Sequence, residues 1–319
     1  MSKKVYILGS GFSAAFGFPT TSGIIEIIQS GKYVPNNYLA IFQKTQKSII
    51  EVLCPNNKGK KFNLADYLTF VDLLIELGYG RREHLEEYRR YFLRALRKYF
   101  MGKATKIKPQ YVKILRKWLR SFSPNDSIIS FNWDTLIERI VQSDDYGPIE
   151  EFKIGQLVKP HGSIDWLDTI INESSHYIDT TYKDKSSSIY RLSSNKWENE
   201  YEKIEASPLV VLPSFRQNYK YYAGLFLIAQ GIIKKASSIT IIGLSLREED
   251  FSIRLILRLA IWDQARNKVR EDLNIINVVD KHMFCDKLNE RYLHHICADE
   301  GKINFCERDA MEWLKDVER

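Results

Sequence analysis

At five places in the chain, side chains that can hydrogen-bond, cradle a phosphate or move a proton sit directly behind a short apolar run. Gly9, Ser10, Gly11 and Ser13 follow Val5–Leu8, Asn132 and Asp134 follow Ser127–Phe131, and His161 and Ser163 follow Gln156–Lys159. Gly243 and Ser245 follow the run that starts at Ser238, and Asp280 closes Leu273–Val279. Glycines at a strand-to-helix turn let a backbone approach a phosphate, or they serve a tight turn that needs positive φ. Asn132 can hold a ligand or cap the next helix. His161 can act as an acid or base, or be a satisfied loop histidine. Asp280 can bind ribose hydroxyls or cap the helix after it.

Such residues work together only if the strands that carry them lie side by side. Four-to-seven-residue apolar runs, separated by helical stretches, predict an α/β fold: a Rossmann-like parallel sheet with helices on both faces. In a sheet of this kind ligands bind beyond the carboxyl ends of the strands, so all five positions converge on one crevice. The opening differs from the dinucleotide fingerprint G-x-G-x-x-G, because position 14 is Ala and the next glycine is Gly17. Pro19 predicts a short first helical turn, a loop, and a helix from about Thr21.

From Asn36 to Arg120 the period is helical throughout. Leu85, Tyr88, Phe92, Leu96 and Tyr99 fall at steps of three and four, as do Tyr111, Ile114, Leu115 and Trp118. This predicts an all-helical subdomain, residues 31–122, inserted into one catalytic domain spanning 1–319. Further on, Asn172–Lys203 reads as a loop, Leu209–Leu212 as a strand, Asn218–Lys235 as a helix, and a further helix starts near Glu248. A helix from Cys285, a strand at Ile303–Cys306 and a helix at Ala310–Val317 complete the pattern.

The net charge of +7 is concentrated in one stretch. Residues Arg81–Arg120 hold fourteen Lys or Arg against three Glu, leaving the remainder slightly acidic. These are solvated helix faces with Glu83, Glu86 and Glu87 paired to nearby arginines, or a docking surface for nucleic acid or an acidic partner. No apolar run approaches the roughly eighteen residues of a membrane span. The start lacks a signal-peptide core, so a cytoplasmic protein is expected. The four cysteines (Cys54, Cys285, Cys297, Cys306) form no C-x-x-C pair, which argues against a zinc site.

Taken in order, Gly9-Ser-Gly-Phe-Ser13, Phe131-Asn-Trp-Asp134, Lys159-Pro-His-Gly-Ser163 and Ile241-Ile-Gly-Leu-Ser-Leu246 resemble the sirtuin family. The wording is most similar to the bacterial sirtuin-like NAD hydrolases of anti-phage defence. The chain departs from the deacylases of that family in lacking their four-cysteine zinc module and their Pro-Asp-Phe-Arg stretch. The resemblance therefore implies an NAD+ hydrolase that cuts the nicotinamide–ribose bond, with NAD as substrate and no metal. It implies His161 and Asn132 as catalytic residues, Asp134 on the carboxamide, and Gly9, Ser10, Gly11 and Ser13 at the pyrophosphate. Gly243, Ser245 and Asp280 would hold the adenosine half. A protein deacylase and a non-catalytic nucleotide-binding subunit are the alternatives. Because uncontrolled NAD loss is lethal, the resemblance also implies control by homo-oligomerisation or by a separately encoded partner such as a HerA-type ATPase or an Argonaute-like protein.

Overall fold

The computed structural model describes residues 3–53, 64–78, 81–104, 106–142, 157–167, 208–212, 214, 222–245, 251–263, 268–269, 273–278 and 304–317. Asp280, the stretch 172–203 and the helix expected from Cys285 lie outside the described residues.

Six strands form one sheet: β1 (Lys4–Leu8), β2 (Ser127–Ser130), β3 (Leu157–Val158), β6 (Ser238–Ile242), β9 (Leu273–Asn277) and β10 (Asn304–Glu307). Their order is β10-β9-β6-β1-β2-β3, and every neighbouring pair is parallel. The chain winds outward from β1 in one direction, then returns to β6 on its other side and winds outward again. This is the doubly wound, Rossmann-like arrangement, and its switch point lies between β1 and β6.

Alternate strand residues face opposite layers. Leu8, Ile128, Leu157, Ile242 and Ile276 enter one core, packed by α1 (Ser10–Ala14), α2 (Thr21–Gln29), α3 (Asn36–Leu53), α4 (Leu64–Glu76), α5 (Arg82–Ala104), α6 (Pro109–Arg120) and α7 (Leu136–Gln142). Val5, Ile7, Ile129, Ile239, Ile241 and Ile275 enter the other, under α8 (Ala223–Lys234) and α9 (Phe251–Ile261). The terminal helix α10 (Ala310–Val317) places Met311 and Leu314 in the first core. The central strands β2, β6 and β9 are apolar at consecutive positions because both of their faces are covered, whereas the edge strand β10 has exposed ends.

The chain passes from α1 through Gly17 (φ +87°) and Pro19 into α2 at Thr21, as the break at Pro19 predicts. Helices α3–α6 fill the stretch between α2 and β2. On α6, Val112, Leu115, Trp118 and Leu119 are buried while Lys113, Lys117 and Arg120 are exposed, an apolar stripe at helical spacing behind a proline first turn. The basic stretch is used in several ways. Arg97 and Arg116 are buried, Arg89 pairs with Asp72 at 3.1 Å, and Arg82 pairs with Glu86 at 2.8 Å, one helical turn apart.

One expectation is corrected. Leu209–Leu212 was expected as a strand among the parallel ones; instead β5 (Pro208–Val210) pairs antiparallel with β4 (Gly162–Leu167) in a separate two-stranded ribbon. The cause is the turn before β4. Lys159-Pro160-His161-Gly162 closes with Gly162 N–H donating to the Lys159 carbonyl at 3.0 Å, with proline second and glycine (φ +76°) fourth. The chain reverses at the end of β3 and leaves the sheet. A second small ribbon joins β7 (Trp262–Asp263) and β8 (Lys268–Val269). Among the described residues no helix is long and apolar enough to cross a membrane.

Candidate active site

At the switch point the ends of β1 and β6 meet backbone to backbone. Gly9 N–H donates to the Ile242 carbonyl at 3.0 Å, and Gly11 N–H donates to the Gly243 carbonyl at 2.8 Å. A Cβ on Gly9 would stand 2.5 Å from the Leu244 Cα, and one on Gly11 would stand 2.8 Å from the Gly243 Cα. Gly243 itself, at φ +60°, faces the backbone of Gly11 and Phe12. The glycines thus let two strand ends close on each other. Two of their amides are consumed in doing so, and the helix that follows is only one turn long.

Above this contact lies a cleft open to solvent. Gly9, Ser10, Ser13, Asn132, Asp134, His161 and Ser245 line it; Gly11 and Gly243 stand behind its wall. The structure therefore brings residues from four of the five expected strand ends to one cavity. Asp280 lies outside the described residues.

Asn132 is buried and its amide orientation is set by its neighbours. Nδ2 donates to the Gly9 carbonyl at 2.9 Å and to Ser13 Oγ at 2.9 Å. The Gly9 carbonyl can only accept, so the nitrogen must be the atom facing it. Both amide hydrogens are committed to the β1–α1 turn, which leaves the Oδ1 acceptor for a ligand. Asp134 Oδ1 accepts the Leu136 backbone N–H at 3.0 Å and caps the first turn of α7. In the Asn-Trp-Asp segment, then, the Asn132 Oδ1 acceptor is turned from the β1–α1 contacts, and Asp134 Oδ1 is engaged at the start of α7.

His161 sits third in the Lys-Pro-His-Gly turn and is 5% exposed. Its Nε2 is 3.2 Å from Ser252 Oγ on α9, and its ring meets Phe131 edge-on at 5.1 Å and Phe226 at 6.0 Å. Burial among these rings pushes its pKa down to about 3, where the sequence alone suggested an ordinary value near 6.5. The imidazole is therefore neutral at physiological pH, with one nitrogen a donor and the other an acceptor.

Three groups that hold this site were not singled out from the sequence. Lys159, 3% exposed, donates from Nζ to Glu138 Oε1 (3.0 Å), Ser163 Oγ (2.7 Å) and the Asp134 carbonyl (2.5 Å). All three ammonium hydrogens are thus satisfied, and the Asn-Trp-Asp segment is tied to the His161 turn. Trp133 Nε1 donates to the Val211 carbonyl at 3.1 Å, while Val211 N–H donates to the His161 carbonyl at 2.8 Å. Ser252 orients the imidazole. Lysine behind an apolar run looks like a solvated strand end, and only its three acceptors reveal its role. Among the described residues no group of three or more His, Cys, Asp or Glu gathers to hold a metal.

No protein-family model matches the chain. No curated protein matches it either. Solved structures similar to it are sirtuins. A structure described as "The Structural basis of Sirtuin Substrate Affinity" aligns over 98% of this chain and 92% of its own, at 15% identity and a TM-score of 0.47. One described as "Structural Basis for the Mechanism and Regulation of Sir2 Enzymes" aligns over 99% and 90%, at 14% identity and a TM-score of 0.47. A Sir2 structure with a peptide and NAD+ aligns over 98% and 91%, at 14% identity and a TM-score of 0.41.

Proposed function

We propose that this protein is an NAD+ glycohydrolase, cleaving the nicotinamide–ribose bond to give nicotinamide and ADP-ribose. The observation that carries the reading is the pairing, on one switch-point cleft, of an asparagine with a free carbonyl acceptor and a buried neutral histidine. Breaking the C1′–N bond develops oxocarbenium character on the ribose, and nicotinamide departs as a neutral molecule, so no strong acid is required. The work left to the protein is orientation, screening of positive charge and delivery of water.

Asn132 Oδ1 accepts from a ribose hydroxyl or the attacking water. The Asp134 carboxylate accepts from the carboxamide N–H groups and lies where positive charge develops. Ser10 and Ser13, with the backbone at Gly9, line the pyrophosphate side, and Ser245 belongs with Gly243 and Asp280 to the adenosine half. His161 takes the proton. A base of such low pKa is sufficient here, because water bonded to an oxocarbenium carbon becomes a strong acid as the C–O bond forms. Water adds to C1′, its proton passes to His161 and then to solvent, and the bond electrons leave with nicotinamide.

Action as an effector of anti-phage defence by NAD depletion, under the control of oligomerisation or a separately encoded partner, belongs to the same proposal and rests on the resemblance of the motifs. The test is incubation of purified protein with NAD+ and identification of products by mass. Asn132→Ala and His161→Ala are each expected to slow NAD+ consumption by about a hundredfold or more, the scale of losing a general base. Full activity in either variant overturns the assignment. Consumption seen only with an acyl-peptide points to a deacylase, and binding without turnover points to a nucleotide-binding subunit.

A further inference from the structure

The cleft has two unlike kinds of lining. Toward β1 and β6 it presents hydroxyls and backbone, from Ser10, Ser13 and Ser245. It is also lined by apolar side chains, Pro19, Ile24 and Phe100, the last in the final turns of α5. Phe100 is thus a residue of the helical stretch, far in sequence from every motif, that reaches the cavity. Its ring is buried and stacks on Phe18 with 17° between planes at 6.0 Å, and it meets Trp133 edge-on at 6.5 Å. One turn earlier on the same face of α5, buried Arg97 interacts with buried Asp165 on β4. Phe100 thus shares a helix face with a buried guanidinium whose charge is favoured by Asp165 of the ribbon that begins at the His161 turn.

Resting on the NAD+ reading above, we infer that Phe100 is a specificity-determining residue, whose ring, with Trp133, forms an aromatic wall selecting the cationic pyridinium of oxidised NAD+ over neutral dihydronicotinamide. A flat cation against an aromatic face gains from the ring quadrupole, whereas the neutral, reduced ring gains only contact area. The Asp134 carboxylate favours the same cation independently of Phe100. The signature of the wall is therefore the change in preference when Phe100 alone is altered. The helical stretch then contributes ligand selection to a cleft whose polar lining comes from the strand ends and, at Thr21, from the start of α2.

The experiment measures dissociation constants of the purified full chain for three probes: carbocyclic NAD+, which keeps the pyridinium but cannot form the oxocarbenium; NADH; and ADP-ribose. The parent protein is expected to bind carbocyclic NAD+ at least several-fold more tightly than NADH. Phe100→Leu, close in volume, is expected to weaken carbocyclic NAD+ roughly 3- to 30-fold. ADP-ribose affinity stays within about twofold, which also reports an intact fold, and the NAD+/NADH preference shrinks. Equal binding of carbocyclic NAD+ and NADH by the parent overturns the inference and leaves the NAD+ reading standing. So does equal weakening of all three probes in the variant. If the parent binds none of the probes, the NAD+ reading itself falls and the inference falls with it.

Discussion

Replacing Lys159 by Met removes an ammonium that is 3% exposed and takes one ion-pair partner from the Glu138 carboxylate, which is 6% exposed. That carboxylate is largely buried, and its 3.0 Å bond to the ammonium is lost. Breaking a buried ion pair from one side costs about 3–5 kcal/mol, because the surviving charge keeps its desolvation penalty. A chain of 319 residues unfolds with an entropy of about 0.67 kcal/mol/K at the usual value per residue. Lys159→Met should therefore lower the melting temperature by about 4–8 °C. The double variant Lys159→Met/Glu138→Leu removes both charges, so it should recover to within about 2 kcal/mol of the parent, since apolar replacement of a whole buried pair is often nearly neutral. The assay is thermal unfolding followed by circular dichroism, run as a double-mutant cycle. A single variant melting within about 1 °C of the parent refutes the reasoning. So does a double variant that loses the sum of the two singles, because then the two side chains are not coupled through the bond seen between them.

His161 makes stability pH-dependent in a defined direction. Its folded pKa is depressed to about 3, so the unfolded chain binds the proton first; stability is full above about 6.5 and is lost as pH falls from there toward 3. Each unit in that window costs up to about 1.4 kcal/mol. His161→Gln should flatten the fall in melting temperature between pH 7 and pH 5, and an unchanged slope counts against the burial. For the same reason the rate of NAD+ cleavage in the parent should show no ionisation near pH 6.5 belonging to His161; a rate limb there, abolished by His161→Gln, contradicts the neutral imidazole. The glycines give a contrasting pair. Gly243→Ala forces a Cβ into the Gly11–Phe12 backbone at positive φ and should destabilise by well over about 1 kcal/mol. Gly231→Ala, on α8 with open space around it, should stabilise by about 0.5–1 kcal/mol. Denaturant midpoints of the two variants moving in the same direction would show the switch-point contact to be misjudged.

Much of the architecture is legible from local pattern. Val5–Leu8, Ser127–Ser130 and Ser238–Ile242 read as strands because a strand covered on both faces must be apolar at consecutive positions. The turn at Gly17–Pro19 reads as a break because proline cannot continue the preceding helix. Asn132, Asp134 and His161 were legible as candidates because each directly follows such a strand, and parallel strands bring their carboxyl ends to one edge. The ribbon β4–β5 was not legible as a departure from the sheet. Gly162–Leu167 carries the buried carboxylate of Asp165 in its middle, a charge that acts on Arg97 of α5, distant in sequence.

The amino-acid order by itself determined the α/β class, the helical stretch before β2, and the identity of the polar groups at the strand ends, since all of these follow from spacing along one segment. Tertiary structure alone decided what those groups are free to do. It committed the amides of Gly9 and Gly11 to β6, turned the nitrogen of Asn132 inward and its oxygen outward, and lowered the basicity of His161 by enclosing it. It also converted Lys159 from a strand-end charge into the tie between the Asn-Trp-Asp segment and the His161 turn, and delivered Phe100 from the helical stretch to the cleft. Each of these depends on which distant atoms lie within about 3–6 Å, because hydrogen bonding and desolvation act only at contact range and residue spacing along a chain does not encode it.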